Sequence, residues 1–139
     1  MIVLDTTILV YALGDQHPLR SPCRDVIAAI GQGTVVATTT TEVIQEFTHV
    51  RARRRGRAEA VSRARDYVGL LTPLLQPSES DLATAMRLFL EHDTLGMFDA
   101  VLAAVTLSSS HTTGLMSADK TFASIDDLSY LVPGIDPDV

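Results

Sequence analysis

Short, unbroken apolar runs alternate along this chain with longer stretches in which apolar residues recur every three or four positions. Residues 2–5 (IVLD) predict a short buried strand, because a continuous run rich in β-branched residues suits a strand covered on both faces. TTILVYAL from Thr6 predicts a helix with Gly14 as its stop. Pro18 and Pro22 suit a loop and the first turn of a second helix, running to about Ile30 and closed by Gly31 and Gly33. TVVAT at 34–38 predicts a second buried strand. Helices follow at about 41–54 and 57–72, divided by Gly56, and Pro73 and Pro77 bracket an extended link. Ser78 with Asp81 three residues on starts a helix reaching about His92, with an entry resembling a capping box. Gly96 precedes a helix at about 98–109. A strand at 114–117, a short helix near 119–124 and a last strand near 129–132 complete the pattern.

Strands alternating with helices predict a parallel sheet with helices on both faces, an α/β/α sandwich. At 139 residues, without a repeat or linker, all of 1–139 reads as one domain. Apolar residues make up 46% and charged residues 20%, ordinary values for a folded domain. No apolar run is long enough to span a membrane, and Asp5 interrupts any signal peptide at once, so the expected location is the cytoplasm. Cys23 is the only cysteine. It excludes an internal disulfide and reads as a buried or idle thiol.

The net charge of −6 opposes wholesale nucleic-acid binding, but the charge is polarised. Arg51, Arg53, Arg54, Arg55, Arg57, Arg63 and Arg65 fall within one short stretch. The planar arginine fork suits bidentate contact with phosphate. A solvated face or an acidic protein partner would explain the same run.

Against this basic stretch stand four acids at chemically informative places. Asp5 ends the first apolar run, Asp119 ends the run TGLMSAD, Asp99 opens DAVLAAVTL, and Glu46 lies within TTEVIQEFTHV. A carboxylate just past a strand's carboxyl end points into the crevice where parallel sheets bind ligands. Several converging there repel one another unless a cation neutralises them. Each taken singly has a plainer explanation: Asp5 and Asp99 as helix caps, Asp119 as a turn residue.

Glu42 competes with Glu46. At 100° per residue, Val43, Phe47 and Val50 share one helix face, Glu46 borders it, and Glu42 lies about 40° further towards solvent. Glu46 is the better ligand and Glu42 a supporting or substitute acid. The four histidines (His17, His49, His92, His111) form no zinc-like pair and read as surface residues. No dinucleotide-binding or phosphate-loop glycine motif and no nucleophile elbow occurs. Oxygen ligands without cysteine or paired histidine favour Mg²⁺ or Mn²⁺.

The segments VLDTT at 3–7, VIQEF at 43–47, FDAVLAA at 98–104 and LMSADKTF at 115–122 resemble, in order and spacing, the PIN domain, and specifically the VapC toxins of bacterial toxin–antitoxin pairs. The resemblance covers essentially the whole chain. It implies a small α/β/α fold whose acids Asp5, Glu46, Asp99 and Asp119 bind Mg²⁺ or Mn²⁺ and cut RNA. It also implies a homodimer and a cognate antitoxin. Thr6 matches the hydroxyl residue after the first Asp and Ser117 the small hydroxyl residue before the last, and the Thr40-to-Glu46 spacing fits the family's helix entry. Thr7 stands where the family often has Asn, which implies a loss of supporting hydrogen bonds.

The expected reaction is metal-assisted hydrolysis of an RNA phosphodiester, with Arg51, Arg53, Arg54, Arg55 and Arg57 gripping phosphates and Lys120 facing the scissile one. Few aromatic residues are present, so RNA shape is a more natural target than an extended stacked strand. The competing class is a non-catalytic α/β binding module that uses a metal-bound acidic pocket for docking. An aspartyl-phosphate phosphatase is weaker, because Thr7 replaces its second Asp.

Overall fold

The computed structural model describes residues 1–136. The part of the 1–139 domain beyond them lies outside the described residues. Four strands, β1 (Ile2–Leu4), β2 (Ala37–Thr38), β3 (Gly114–Met116) and β4 (Tyr130–Leu131), form one sheet in the order β2-β1-β3-β4. Every pairing is parallel. Six α-helices connect them: α1 (Thr6–Leu13), α2 (Arg20–Gly31), α3 (Thr41–Arg55), α4 (Arg57–Leu71), α5 (Glu79–Glu91) and α6 (Met97–Ser108). A 3₁₀ turn spans Lys120–Ser124.

Side chains of a strand alternate between faces, yet all three residues of β1 and of β3 are buried. Both faces of the central pair are therefore covered, which is why these strands read as unbroken apolar runs. The predicted α/β/α sandwich is observed. The second strand is shorter than predicted, since only Ala37 and Thr38 of TVVAT pair with β1 and Val36 is 66% exposed. The predicted extended link beyond Pro73 touches the sheet's margin through a parallel bridge between Thr40 and Leu75.

Chain connections leave β1 in one direction towards β2 and, later, leave β3 in the other towards β4. The switch in direction falls between β1 and β3, whose carboxyl ends lie side by side, with Asp5 N–H donating to the Met116 carbonyl at 2.9 Å. Gly114 begins β3 where a Cβ would come within 2.8 Å of the Ser129 carbonyl oxygen, so only glycine lets β4 approach there. Among the described residues, no helix is long and apolar enough to cross a membrane.

Candidate functional site

The carboxyl ends of β1 and β3 deliver Asp5 and Asp119 to one pocket of about 460 Å³, to which α3 brings Glu46 and α6 brings Asp99. Asp5 occupies the N-cap position of α1, but its side chain makes no capping hydrogen bond. Its Oδ2 instead accepts from Thr7 Oγ1 at 2.9 Å and from the fully buried Ser117 Oγ at 2.6 Å. Burial raises the Asp5 pKa, and the two hydroxyls act against that rise by stabilising the charge. Each hydroxyl has a single hydrogen and directs it to Asp5. As acceptors, the same oxygens take the N–H of Ala118 (Thr7, 3.0 Å) and of Asp119 (Ser117, 2.9 Å). The turn after β1 and the turn after β3 are thereby joined around one carboxylate.

Thr7, which stands where the family often has Asn and so implies lost supporting hydrogen bonds, makes two of them here. It proves to be a supporting residue of the site, with a hydroxyl that both donates and accepts as an amide would. Its position two residues past Asp5, in the first turn of a helix, is the signal that could have identified it, because Thr commonly bonds locally at such places.

Glu46, in the second turn of α3, is exposed yet held, since Oε2 accepts from the buried Thr6 hydroxyl at 3.0 Å. Glu42 is a correction: it does not line the pocket, and its Oε1 accepts from its neighbour Thr41 at 2.8 Å. Four positions before Glu46, it lies about one turn nearer the start of α3 and about 40° round the helix. Gly96, not Asp99, is the N-cap of α6, which leaves the Asp99 carboxyl free of a capping role. Burial, then the negative charges of Asp5, Asp119 and Glu46, push the Asp99 pKa up to about 7. Asp99 therefore lies within electrostatic reach of the other three acids. Asp119 serves two purposes, with Oδ1 capping the 3₁₀ turn by accepting from Thr121 N–H at 3.0 Å while the residue also lines the pocket.

The arginine stretch divides. Arg51 is a second correction: its side chain is only 11% exposed and is used within the fold. Nε and Nη2 donate to the two oxygens of Glu59 at 2.8 and 2.6 Å, and Nη1 donates to the Leu13 carbonyl at 3.0 Å. Arg55 pairs with Asp15 at 3.3 Å and Arg63 with Glu59. Arg53 and Arg57 are exposed along a different pocket at the α3–α4 junction. Only Arg54, of the seven, lines the acidic pocket. Lys120 is exposed beside Asp119 and does not line it. Cys23 is buried, and burial pushes its thiol up to about 11, an inert group as expected.

The donor set fits a hard divalent cation, four carboxylates of which one is pushed towards neutrality by burial and by the other three. Among the described residues no three ligating side chains already surround a single point, so the fit rests on chemistry and charge rather than preformed coordination.

The family model for the PIN domain matches residues 2–128. Ribonuclease VapC7 of Mycobacterium tuberculosis is 49% identical over 134 residues, covering 96% of this chain and 92% of its own. The VapC ribonuclease Mb1869c of Mycobacterium bovis is 31% identical over 94% of this chain and 99% of its own. Two solved structures share the fold: VapBC2 of Rickettsia felis bound to a promoter DNA fragment (TM-score 0.74, 18% identity, 95% of this chain and 98% of that one) and Mycobacterium tuberculosis VapC20, described as a Sarcin-Ricin loop cleaving toxin (TM-score 0.72, 17% identity, 88% and 93%). With a family model spanning most of its length and a relative nearly half identical end to end, this chain belongs to the PIN-domain family, in its VapC branch.

Proposed function

We propose that this protein is a divalent-metal-dependent endoribonuclease, the toxin of a toxin–antitoxin pair, acting in the cytoplasm through Asp5, Glu46, Asp99 and Asp119. The observation that carries the reading is the convergence of these four acids on one pocket at the switch point between β1 and β3. Bound Mg²⁺ or Mn²⁺ would supply a water of lowered pKa and neutralise charge on the phosphate. The chain's own groups set the stage. Thr7 and Ser117 orient Asp5 and favour its charged form against burial, Thr6 orients Glu46, and Arg54 offers a cation to the RNA backbone within the pocket. Lys120, Arg53, Arg55 and Arg57 provide a more distant electrostatic attraction.

The test is cleavage of structured RNA by the purified protein with Mg²⁺ or Mn²⁺ and with chelator. Cleavage that needs the ion and is lost in Asp5→Asn and Asp99→Asn supports the reading. Metal-independent cleavage, or Asp5→Asn cutting as fast as wild type, refutes it. The alternative of a non-catalytic binding module stands only if the wild type binds RNA and cuts none.

A cognate antitoxin and a homodimer complete the proposal. The VapC kinship supports the first, checked by co-purification with the product of the adjoining small gene. An apolar stripe supports the second: Leu82, Met86, Phe89 and Leu90 recur at helical spacing on α5 and remain exposed. Val10, Leu13 and Leu19 are instead packed against the core. Light scattering of Leu90→Glu should report a monomer where the wild type is a dimer.

A further inference from the structure

The pocket extends well past the four acids. α1 and α3 lie side by side and run in the same direction, as three contacts in sequence order establish: Thr6 with Glu46, Leu13 with Arg51, and Asp15 with Arg55. A groove runs between them from the acidic end, past Val10 and Val50, to Tyr11, His17 and Arg54. Glu46 and Arg54 are eight residues apart on one helix, about 12 Å at 1.5 Å per residue.

The far end is chemically distinct. The Tyr11 and His17 rings are stacked, with centroids 4.4 Å apart and planes within 21°. His17 Nδ1 accepts the Leu19 N–H at 3.1 Å, which holds the imidazole in that plane. His17 is exposed and, like Tyr11, lines the pocket, so the stack is open to a ligand there. Gln16 adds an amide that both donates and accepts, and Arg54 adds a fixed positive charge. The groove thus asks for an anion at its acidic end through a metal, an anion at Arg54, and a flat aromatic body between or beside them. A nucleotide within an RNA chain has that composition.

We propose that the α1–α3 groove is a single-nucleotide subsite, in which one base beside the scissile phosphate stacks on the Tyr11–His17 pair, Gln16 contacts its edge, and Arg54 holds the adjoining phosphate. This deepens the ribonuclease reading and rests on it. The subsite reads one base, in keeping with a chain too poor in aromatic residues for an extended stacking platform.

Titration of isotope-labelled protein with the four ribonucleoside monophosphates and with ribose 5-phosphate, in Mg²⁺, tests the subsite without requiring cleavage. The expected result is upfield shifts of the Tyr11 and His17 ring signals with at least one nucleotide, while ribose 5-phosphate moves only the Arg54 guanidinium signal. His17→Ala should weaken nucleotide binding about tenfold, as loss of a stacking surface does, and His17→Phe should restore it. Ring signals unmoved by every nucleotide would overturn the proposal, as would unchanged binding by His17→Ala. In cleavage of a randomised oligoribonucleotide pool, His17→Ala should raise KM and flatten the base preference beside the cut, and an unaltered preference counts against the subsite. A wild type that cuts no RNA defeats the ribonuclease reading alone, because the titration still decides the groove.

Discussion

Asp5 is 5% exposed and receives two hydroxyl hydrogens, from Thr7 and from Ser117. Burial favours its neutral form, while the hydroxyls favour the carboxylate that a cation needs. Replacing either hydroxyl by an apolar group leaves the carboxylate less stabilised and free to turn. Thr7→Val and Ser117→Ala should each lower Mn²⁺ affinity about 10–100-fold with the fold intact by circular dichroism. Affinity within twofold of wild type in calorimetric titration would rule out their supporting role. The two glutamates of α3 should separate as cleanly. Glu46→Gln should reduce RNA cleavage, whereas Glu42→Gln should leave it at the wild-type rate, since Glu42 does not line the pocket and is engaged by Thr41.

Helix α3 carries residues of three kinds on one backbone: Glu46 at the acidic end, Arg54 towards the groove, and Arg51 against α4 and the end of α1. Arg51→Ala would leave the Leu13 carbonyl and Glu59 without their partner, so the melting temperature should fall by about 5 °C, the size of change that a modest stability loss produces in a small domain. The double variant Arg53→Ala with Arg57→Ala should melt with the wild type but bind RNA more weakly, with a shallower salt dependence. Equal effects of both on stability would mean that the arginines are not divided as observed. Helix α5 shows how a local signal gains a distant consequence. Ser78 and Asp81 form the capping box, with the Ser78 N–H donating to Asp81 and the Asp81 N–H to Ser78. The free oxygen of Asp81 then accepts from Ser108 at 2.6 Å, tying the start of α5 to the end of α6. Ser78→Ala should cost about 1 kcal/mol in urea denaturation.

Across the whole molecule, the four acids belong to separate segments that only the folded sheet assembles, so their charge acts on global stability. Asp99 titrates near pH 7 in the folded chain against 3.8 for an ordinary aspartate. Its ionisation therefore opposes folding. That penalty is absent below about pH 4, grows between 4 and 7, and is complete above 7. In chelator, wild-type protein should lose melting temperature relative to Asp99→Asn as pH rises from 5 to 7.5. Mg²⁺ should restore more at pH 7.5 than at pH 5, because binding to the folded state alone stabilises it. Parallel melting curves for wild type and Asp99→Asn across that range would show that Asp99 carries no such penalty.

The chain's own pattern determined its elements and the identities of its four acids. Unbroken apolar runs, prolines, glycines and the Ser78–Asp81 pair act over a few residues, and the PIN-like segments are local strings. Parallel packing then decided what each side chain meets. Ser117 lies 112 positions from the Asp5 it supports, and Thr7 lies 111 from the Ala118 amide it accepts. Helical spacing could separate Glu46 from Glu42 by face. It could not tell which of seven neighbouring arginines would be enclosed by Glu59 and Leu13 and which would look into the groove, because that depends on the helix laid alongside. The Tyr11–His17 stack is of the same kind: it becomes part of a pocket wall only where α3 lies beside α1 and brings Val50 and Arg54 to the same groove.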